Sequence, residues 1–386
     1  MEAHPTPARP ASSLRPGPSL GRPGQEGDVP TTRRTLGALL LCLAPAAQAQ
    51  PVPAGATLPR VFVLATGGTI AGQASNRTAI GYDAGKVSGA ALVAAVPSLD
   101  RVATISAEQI ASIGSQDMND QVWSDLARRV QAIFAANEAD GVVITHGTDT
   151  MEETAFFLSQ VVRSDRPVVL VGAMRPSTAT SADGPANLYE AVSVAASPLA
   201  RGHGVMVVLN DTIHSARRVT KTHTTSVETF VSQNGGPLGY VDAASIRFVD
   251  PPPPPSPRPA YALPSAPPLP RVEIIYAHAN MDATAIEAAV AGGAKGLVLA
   301  GVGDGNGSQA AIAALAAAAR RGIVVVRSSR TGAGFVNRNV EVNDDQLGLV
   351  ASLDLNPQKS RVLCQLLIAN GVSDPGAVQQ AFVGTW

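Results

Sequence analysis

Aromatic residues make up only 4% of this 386-residue chain and charged residues only 15%, with Lys+Arg 29 against Asp+Glu 30. The formal charge of −1 and scattered basic residues argue against a polyanion partner, because nucleic-acid binders show a basic patch or a high pI. Beyond the N-terminus the only adjacent basic pairs are Arg128-Arg129, Arg217-Arg218 and Arg320-Arg321. Cysteine is nearly missing: Cys42 lies in the leader and Cys364 stands alone among Val362, Leu363, Leu366 and Leu367, a buried small hydrophobe by its spacing. His146, His203, His214, His223 and His278 have no paired metal spacing, so neither a metal nor a cofactor is expected. Asp304-Gly305-Asn306-Gly307-Ser308 begins like a calcium loop, but the twelfth position is Leu315, and the stretch reads as a strand-to-helix turn. The Ala-rich stretch 308–321 is too short for a membrane span and ends in Arg320-Arg321.

What is present begins with a leader. Residues 1–30 are rich in Pro, Gly, Ser and Arg without an apolar period and cannot bury a core. Thr32-Arg33-Arg34, an apolar run from Leu36 to Leu43 and Ala47-Gln48-Ala49 then form a basic region, a short hydrophobic stretch and an A-x-A site. That pattern is a secretory signal peptide, with cleavage expected after Ala49 and export to the periplasm. The Arg pair leaves twin-arginine export open beside the ordinary route. The unusual length before it leaves open a true start at Val29.

The remainder is long enough for two α/β domains. Strands are expected at 61–65, 102–106, 141–145, 167–172 and 204–209, alternating with helices at 88–96, 120–137, 151–163 and 185–197. This alternation reads as βαβ units around a mostly parallel sheet. Residues 250–270, with Pro251 to Pro255 and six further prolines, form a stiff linker. Beyond it, strands at 272–276, 296–300 and 322–327 alternate with helices at 282–292 and 308–321, and a last helix runs from about 357 to 370. The expected organisation is a leader with signal peptide (1–49), a larger N-terminal domain (59–249), the linker (250–270) and a smaller C-terminal α/β domain (271–386).

Two strand ends carry the chemistry. Val61-Phe62-Val63-Leu64 runs into Ala65-Thr66-Gly67-Gly68-Thr69-Ile70, and Gly141-Val142-Val143-Ile144 into Thr145-His146-Gly147-Thr148-Asp149-Thr150. Buried strands that stop in small hydroxyl residues and glycine present groups to a ligand, and ligands of open α/β sheets sit beyond the carboxyl ends of the strands. Thr69 alone leaves a hydroxyl nucleophile and a nucleotide-cradling loop equally open, although neither G-x-G-x-x-G nor G-x-x-x-x-G-K-[ST] spacing is present. Thr148 and Asp149 at a helix start, Lys221 in Val219-Thr220-Lys221-Thr222, and Ser115 and Gln116 after a strand-like segment tip the balance. Hydroxyls, an acid, a lysine and helix N–H groups suit a zwitterionic amino-acid substrate and acyl transfer. A solvated loop lysine is the plain alternative for Lys221.

Ala65-Thr-Gly-Gly-Thr-Ile-Ala71, Ile113-Gly-Ser-Gln-Asp-Met-Asn-Asp120, Ile144-Thr-His-Gly-Thr-Asp-Thr-Met-Glu-Glu153, Val171-Gly-Ala-Met-Arg-Pro-Ser177 and Ser181-Ala-Asp-Gly-Pro185 closely resemble the bacterial type II L-asparaginases of the asparaginase/glutaminase family. Val325-Val-Arg-Ser-Ser-Arg330 and Leu355-Asn-Pro-Gln-Lys359 extend the resemblance over essentially all of 59–386. It implies hydrolysis of L-asparagine to L-aspartate and ammonia, with Thr69 as nucleophile and Tyr82, on a lid loop, activating it. It further implies a Thr148–Lys221–Asp149 triad, with Ser115, Gln116 and Asp149 holding the substrate's α-carboxylate and α-amine, and Thr148 N–H as a candidate oxyanion donor. Asn280 and Glu341 match residues lent to a neighbouring subunit, which implies a homotetramer built from two intimate dimers. The disulfide of some family members is missing, since the matching stretches read Ala135-Ala136-Asn137 and Arg163-Ser164-Asp165. The unusual sequence around Asn280 leaves asparagine against glutamine preference open. A glutaminase-asparaginase and a non-catalytic periplasmic amino-acid-binding protein are the rival readings.

Overall fold

The computed structural model describes residues 57–75, 82–254 and 261–384. The expected leader, residues 76–81 of the expected lid and residues 255–260 of the linker lie outside them. Residues from Gly55 onward form one compact unit. In chain order its first half holds β1 (Arg60–Gly67), the short strands β2 (Gln73–Ala74) and β3 (Tyr82–Asp83), α1 (Gly89–Ala94), β4 (Thr104–Ile113) and α2 (Asp120–Ala135). β5 (Gly141–Thr145), α3 (Met151–Val161), β6 (Val168–Val171), α4 (Gly184–Ala196) and β7 (Val205–Leu209) follow.

Strands β4-β1-β5-β6-β7 are parallel neighbours in that spatial order. Chain order therefore reverses direction across the sheet at the β1/β5 boundary. In doubly wound sheets such a switch point opens a crevice at the carboxyl ends of its two strands. Thr69 and Thr148 follow those two strands. The pleat explains the layering: Leu64, Val142 and Ile144 face a core built with α2 and α3, while Val61, Val63 and Val143 face α4. Every residue of β5 is buried, as a central parallel strand covered on both faces requires.

The sheet continues with β8 (Thr212–Ser215), antiparallel to β7, and with β11 (Gly239–Val241) and β12 (Ile246–Phe248) beyond it. Between them β9 (Val219–Lys221) and β10 (Phe230–Ser232) form a separate two-stranded antiparallel ribbon. None of these five strands was expected, and the strand expected at 102–106 instead occupies Thr104–Ile113. At the edge of the sheet with polar residues such as Glu108 and Gln109, it lacks the apolar run that marks its neighbours.

The smaller sheet is β13 (Val272–Tyr276), β14 (Gly296–Gly301), β15 (Val324–Ser329) and β16 (Val350–Ala351), all parallel, with α5 (Thr284–Ala291), α6 (Gln309–Arg320), α7 (Asp344–Leu347), α8 (Pro357–Ala369) and α9 (Pro375–Val383). Helix α9, which was not expected, is capped by the Asp374 side chain. Ser308 caps α6, so the 304–308 stretch is the turn its sequence suggested. Cys364 is fully buried, and burial pushes its thiol up to about 12, beyond reactivity at neutral pH. The two sheets share one core: α3 of the first domain packs against α8 of the second within a single apolar cluster.

Candidate active site

Thr69 opens a tight 3-10 turn, Thr69–Ala71, and is nearly buried. Gly67 and Gly68 precede it with φ of 106° and 77°, the left-handed region that glycine enters freely. A methyl at Gly68 would lie 2.2 Å from the Gly147 nitrogen and one at Gly67 would lie 2.5 Å from the Ile113 carbonyl oxygen. The Thr69 loop is thus pressed glycine to glycine against the Thr148 loop. From the other side Ser177 donates through its hydroxyl to Gly72 O at 2.7 Å.

The second loop is more richly bonded. Lys221 Nζ donates to Thr148 Oγ1 at 2.9 Å and to Asp149 Oδ1 at 2.6 Å. Lys221 is only 16% exposed in its side chain, which removes the solvated-loop alternative. The third loop closes on the same place: Asp149 N–H donates to Ser115 Oγ at 3.1 Å and Thr150 Oγ1 donates to Ser115 O at 2.8 Å. Thr150 caps α3 by position only, because its hydroxyl is spent on Ser115. The Asn119 side chain caps α2.

His146 sits beneath this cluster, fully buried, its Nδ1 2.6 Å from Gly147 O and its Nε2 2.9 Å from Thr154 Oγ1. Burial pushes its pKa down to about 4, so the ring is neutral at physiological pH. A carbonyl can only accept, so Nδ1 carries the proton and Nε2 accepts from Thr154. Trp123 Nε1 completes the chain by donating to Thr154 Oγ1 at 2.8 Å. Neither Trp123 nor Thr154 was singled out from sequence; Trp123 lies in the amphipathic α2 and Thr154 in α3, buried nearly all round, with no local mark of a role.

The structure thus unites Ser115, Thr148, Asp149 and Lys221 through direct bonds, and brings the Thr69 loop against them. Gln116 is exposed beside Ser115. The backbone of Tyr82 pairs with Ala74, close behind the Thr69 turn, while its side chain lies outside the described atoms. Asn280, with φ 62°, and Glu341 are exposed in loops beyond β13 and β15. Among the described residues no hydrogen bond joins either to Thr148, Asp149 or Lys221. No group of three or more metal-ligating side chains occurs among the described residues.

Comparison with known proteins agrees with this layout. Residues 60–254 match the family described as "Asparaginase, N-terminal" and residues 271–382 the "Glutaminase/Asparaginase C-terminal domain". A "Probable L-asparaginase periplasmic" of Haemophilus influenzae is 48% identical over 328 residues, 85% of this chain and 93% of that protein. A "Glutaminase-asparaginase" of Pseudomonas fluorescens is 42% identical over 348 residues, 89% of this chain and 96% of that protein. The crystal structure of a "Probable Cytoplasmic L-asparaginase" from Campylobacter jejuni superposes with a TM-score of 0.76 at 42% identity, covering 84% of this chain and 99% of that one. With both domains matched in order and the switch-point loops carrying the shared motifs, the chain belongs to the asparaginase family.

Proposed function

We propose that this protein hydrolyses the side-chain amide of L-asparagine, giving L-aspartate and ammonia, with Thr69 as the covalent nucleophile. The observation that carries the reading is the Lys221–Thr148–Asp149 cluster, set against the Thr69 loop at the switch point. Tyr82 draws the proton from the Thr69 hydroxyl as its oxygen attacks the amide carbon. The carbon–nitrogen bond breaks, the nitrogen leaves as ammonia with a proton, and a β-aspartyl ester on Thr69 remains. Water, activated at the Thr148–Lys221 pair, cleaves that ester, releasing aspartate and restoring the hydroxyl. Asp149 holds the substrate's α-amine, and Ser115 and Gln116 its α-carboxylate. A backbone N–H at Thr148 meets the developing oxyanion, a contribution of about 3 kcal/mol for one donor in comparable sites.

The same reading has each site completed by Asn280 and Glu341 of a second copy in a homotetramer. Their exposure at the rim of the small domain, without a partner from the Lys221 cluster of their own chain, supports it. The same reading divides the chain into domains 59–249 and 271–386 joined by the 250–270 linker, a division supported by family matches at 60–254 and 271–382. Export to the periplasm is supported by the leader pattern and by the name of the Haemophilus influenzae relative. The Pseudomonas fluorescens relative favours a second reading, an enzyme that also accepts L-glutamine.

Ammonia release from purified protein with asparagine and glutamine tests the proposal. Thr69→Ala should keep the fold and lose roughly a thousandfold or more in turnover, as loss of a covalent nucleophile requires. Activity kept by that variant would move the nucleophile to Thr148. No ammonia from the parent protein would leave the amino-acid-binding protein.

A further inference from the structure

We propose that Lys359, acting with Glu152, is a positioning residue that sets the reach of Lys221 to Thr148. The inference rests on the reading of Lys221 as part of the catalytic machinery. Lys359 lies in the first turn of α8 in the C-terminal domain and is 1% exposed. Its Nζ donates to Arg217 O at 2.9 Å and to Val219 O, and stands 3.5 Å from Glu152 Oε2. Two of its hydrogens thus go to backbone carbonyls, and the Glu152 carboxylate stands at ion-pair distance to balance its charge.

Two of those acceptors belong to the elements that form the Lys221–Thr148 contact, and the third, Arg217 O, lies on the chain leading into β9. Val219 begins the strand that ends in Lys221, and Glu152 lies in the first turn of α3, just after Thr148 and Asp149. The β9–β10 pair is a ribbon of only two strands, so β9 has one edge with no neighbouring strand to accept from or donate to. Lys359 supplies a donor to that edge. Asn356 reinforces it: its Nδ2 lies 2.8 Å from Glu152 Oε2 and 3.2 Å from Thr220 Oγ1, next to Lys221. Gln358 Nε2 holds the other Glu152 oxygen at 3.0 Å.

Ribbon and helix are therefore tied by two rungs. One is Lys221 to Thr148 and Asp149, at the substrate; the other is Val219 O of β9 and Arg217 O just before it to Lys359 to Glu152, buried behind it. A buried lysine and carboxylate are a costly way to fill space. Only a cation with several donors can bind two backbone carbonyls and a carboxylate at once. Burial lowers the Lys359 pKa, opposed by the neighbouring Glu152 carboxylate. Without the back rung, β9 is free to drift from α3, and Lys221 leaves hydrogen-bond range of Thr148.

The test uses Lys359→Met, Glu152→Gln and Lys221→Met in the full chain, with ammonia release on asparagine and thermal unfolding as readouts. Misplacement by about 1 Å costs up to about a hundredfold in rate, so folded Lys359→Met should lose about ten- to a hundredfold in kcat. Its KM should stay within about threefold, because Ser115 and Asp149 stay anchored to α3. In the Lys221→Met background the same change should cost little further, since residues acting through one another are not additive. Lys359→Arg should recover part of the loss. Unchanged kcat in folded Lys359→Met, or an equal loss in the Lys221→Met background, overturns the proposal. If Lys359→Met does not fold, Glu152→Gln decides: a kcat loss of about tenfold with KM held supports the proposal, and unchanged kcat overturns it. Failure of the parent enzyme or of Thr69→Ala to behave as above would strike the function, not this inference.

Discussion

Gly68→Ala is the sharpest perturbation of the paired loops. Its added methyl would stand 2.2 Å from Gly147 N, 2.3 Å from Gly147 Cα and 2.8 Å from His146 C, all backbone atoms with no rotamer to yield. Ordinary contact needs about 3.4 Å or more, so the loops must part by about 1 Å, the scale at which catalytic misplacement costs about a hundredfold. Two terms add to the stability cost. An L side chain at φ 77° and ψ −171°, a region essentially confined to glycine, costs roughly 1–3 kcal/mol and overpacking a tight contact roughly 1–3 kcal/mol, about 2–6 kcal/mol together. Gly322→Ala is the control for a methyl at positive φ in open space, because φ there is 81° and nothing lies within 4 Å of the new methyl. It should show the cost of positive φ alone and full activity. The assay is ammonia release at saturating asparagine beside thermal unfolding. A folded Gly68→Ala enzyme with kcat within about threefold of the parent would refute the claim that loop contact sets the geometry of Thr69 and Thr148.

Two further predictions concern groups outside the site. Burial, then the neighbouring Asp211, raises the Glu190 pKa from 4.5 to about 8. The folded protein therefore holds a proton that the unfolded chain has lost, so stability should fall as pH rises from about 4.5 to about 8. Glu190→Gln, which mimics the protonated acid, should flatten that slope in urea unfolding across pH 5–9; an unchanged slope would refute the assignment. Arg327 and Asp344 form a fully buried two-pronged pair, Nε to Oδ1 at 2.6 Å and Nη2 to Oδ2 at 2.8 Å. Asp344→Ala leaves a buried guanidinium without its carboxylate and should cost about 3–5 kcal/mol by urea unfolding.

The central parallel strands β1, β5, β6, β7 and β14 were legible because each is a continuous apolar run, ending in glycine or a hydroxyl in β1 and β5. Strands β8 to β12 were not, because they are three or four residues long and mix in His214, Lys221 and Arg247, too short for a period to register. Helix α9 did carry its signal in Asp374 and Pro375, and a capping reading would have found it. In the site, Thr69, Ser115, Thr148, Asp149 and Lys221 stood out because each is a polar residue where packing should end. Glu152 and Lys359 carried no such mark. One is an ordinary first-turn acid and the other a lysine beside Pro357, and only folding brings together helices whose contacting residues lie 206 apart.

That long-range closure explains why the C-terminal domain is no appendage. Arg217, on the chain leading into β9, donates to Asp354 Oδ2 at 2.8 Å, and both side chains are almost wholly buried. Together with Asn356 to Thr220 and Lys359 to Arg217 O and Val219 O, this gives the ribbon bearing Lys221 and the chain leading into it four polar ties to the second domain. Its tie to the first domain's sheet is a side-chain contact, His214 Nδ1 of β8 lying 2.9 Å from Ser232 Oγ of β10, because among the described residues β9 pairs as a strand only with β10. The N-terminal domain supplies both threonine loops, yet the lysine between them is held from the other domain. A separated N-terminal domain would expose both Glu152 and the apolar face of α3 that α8 covers, so it would keep every residue of the cluster and lose the tie that holds β9 to α3.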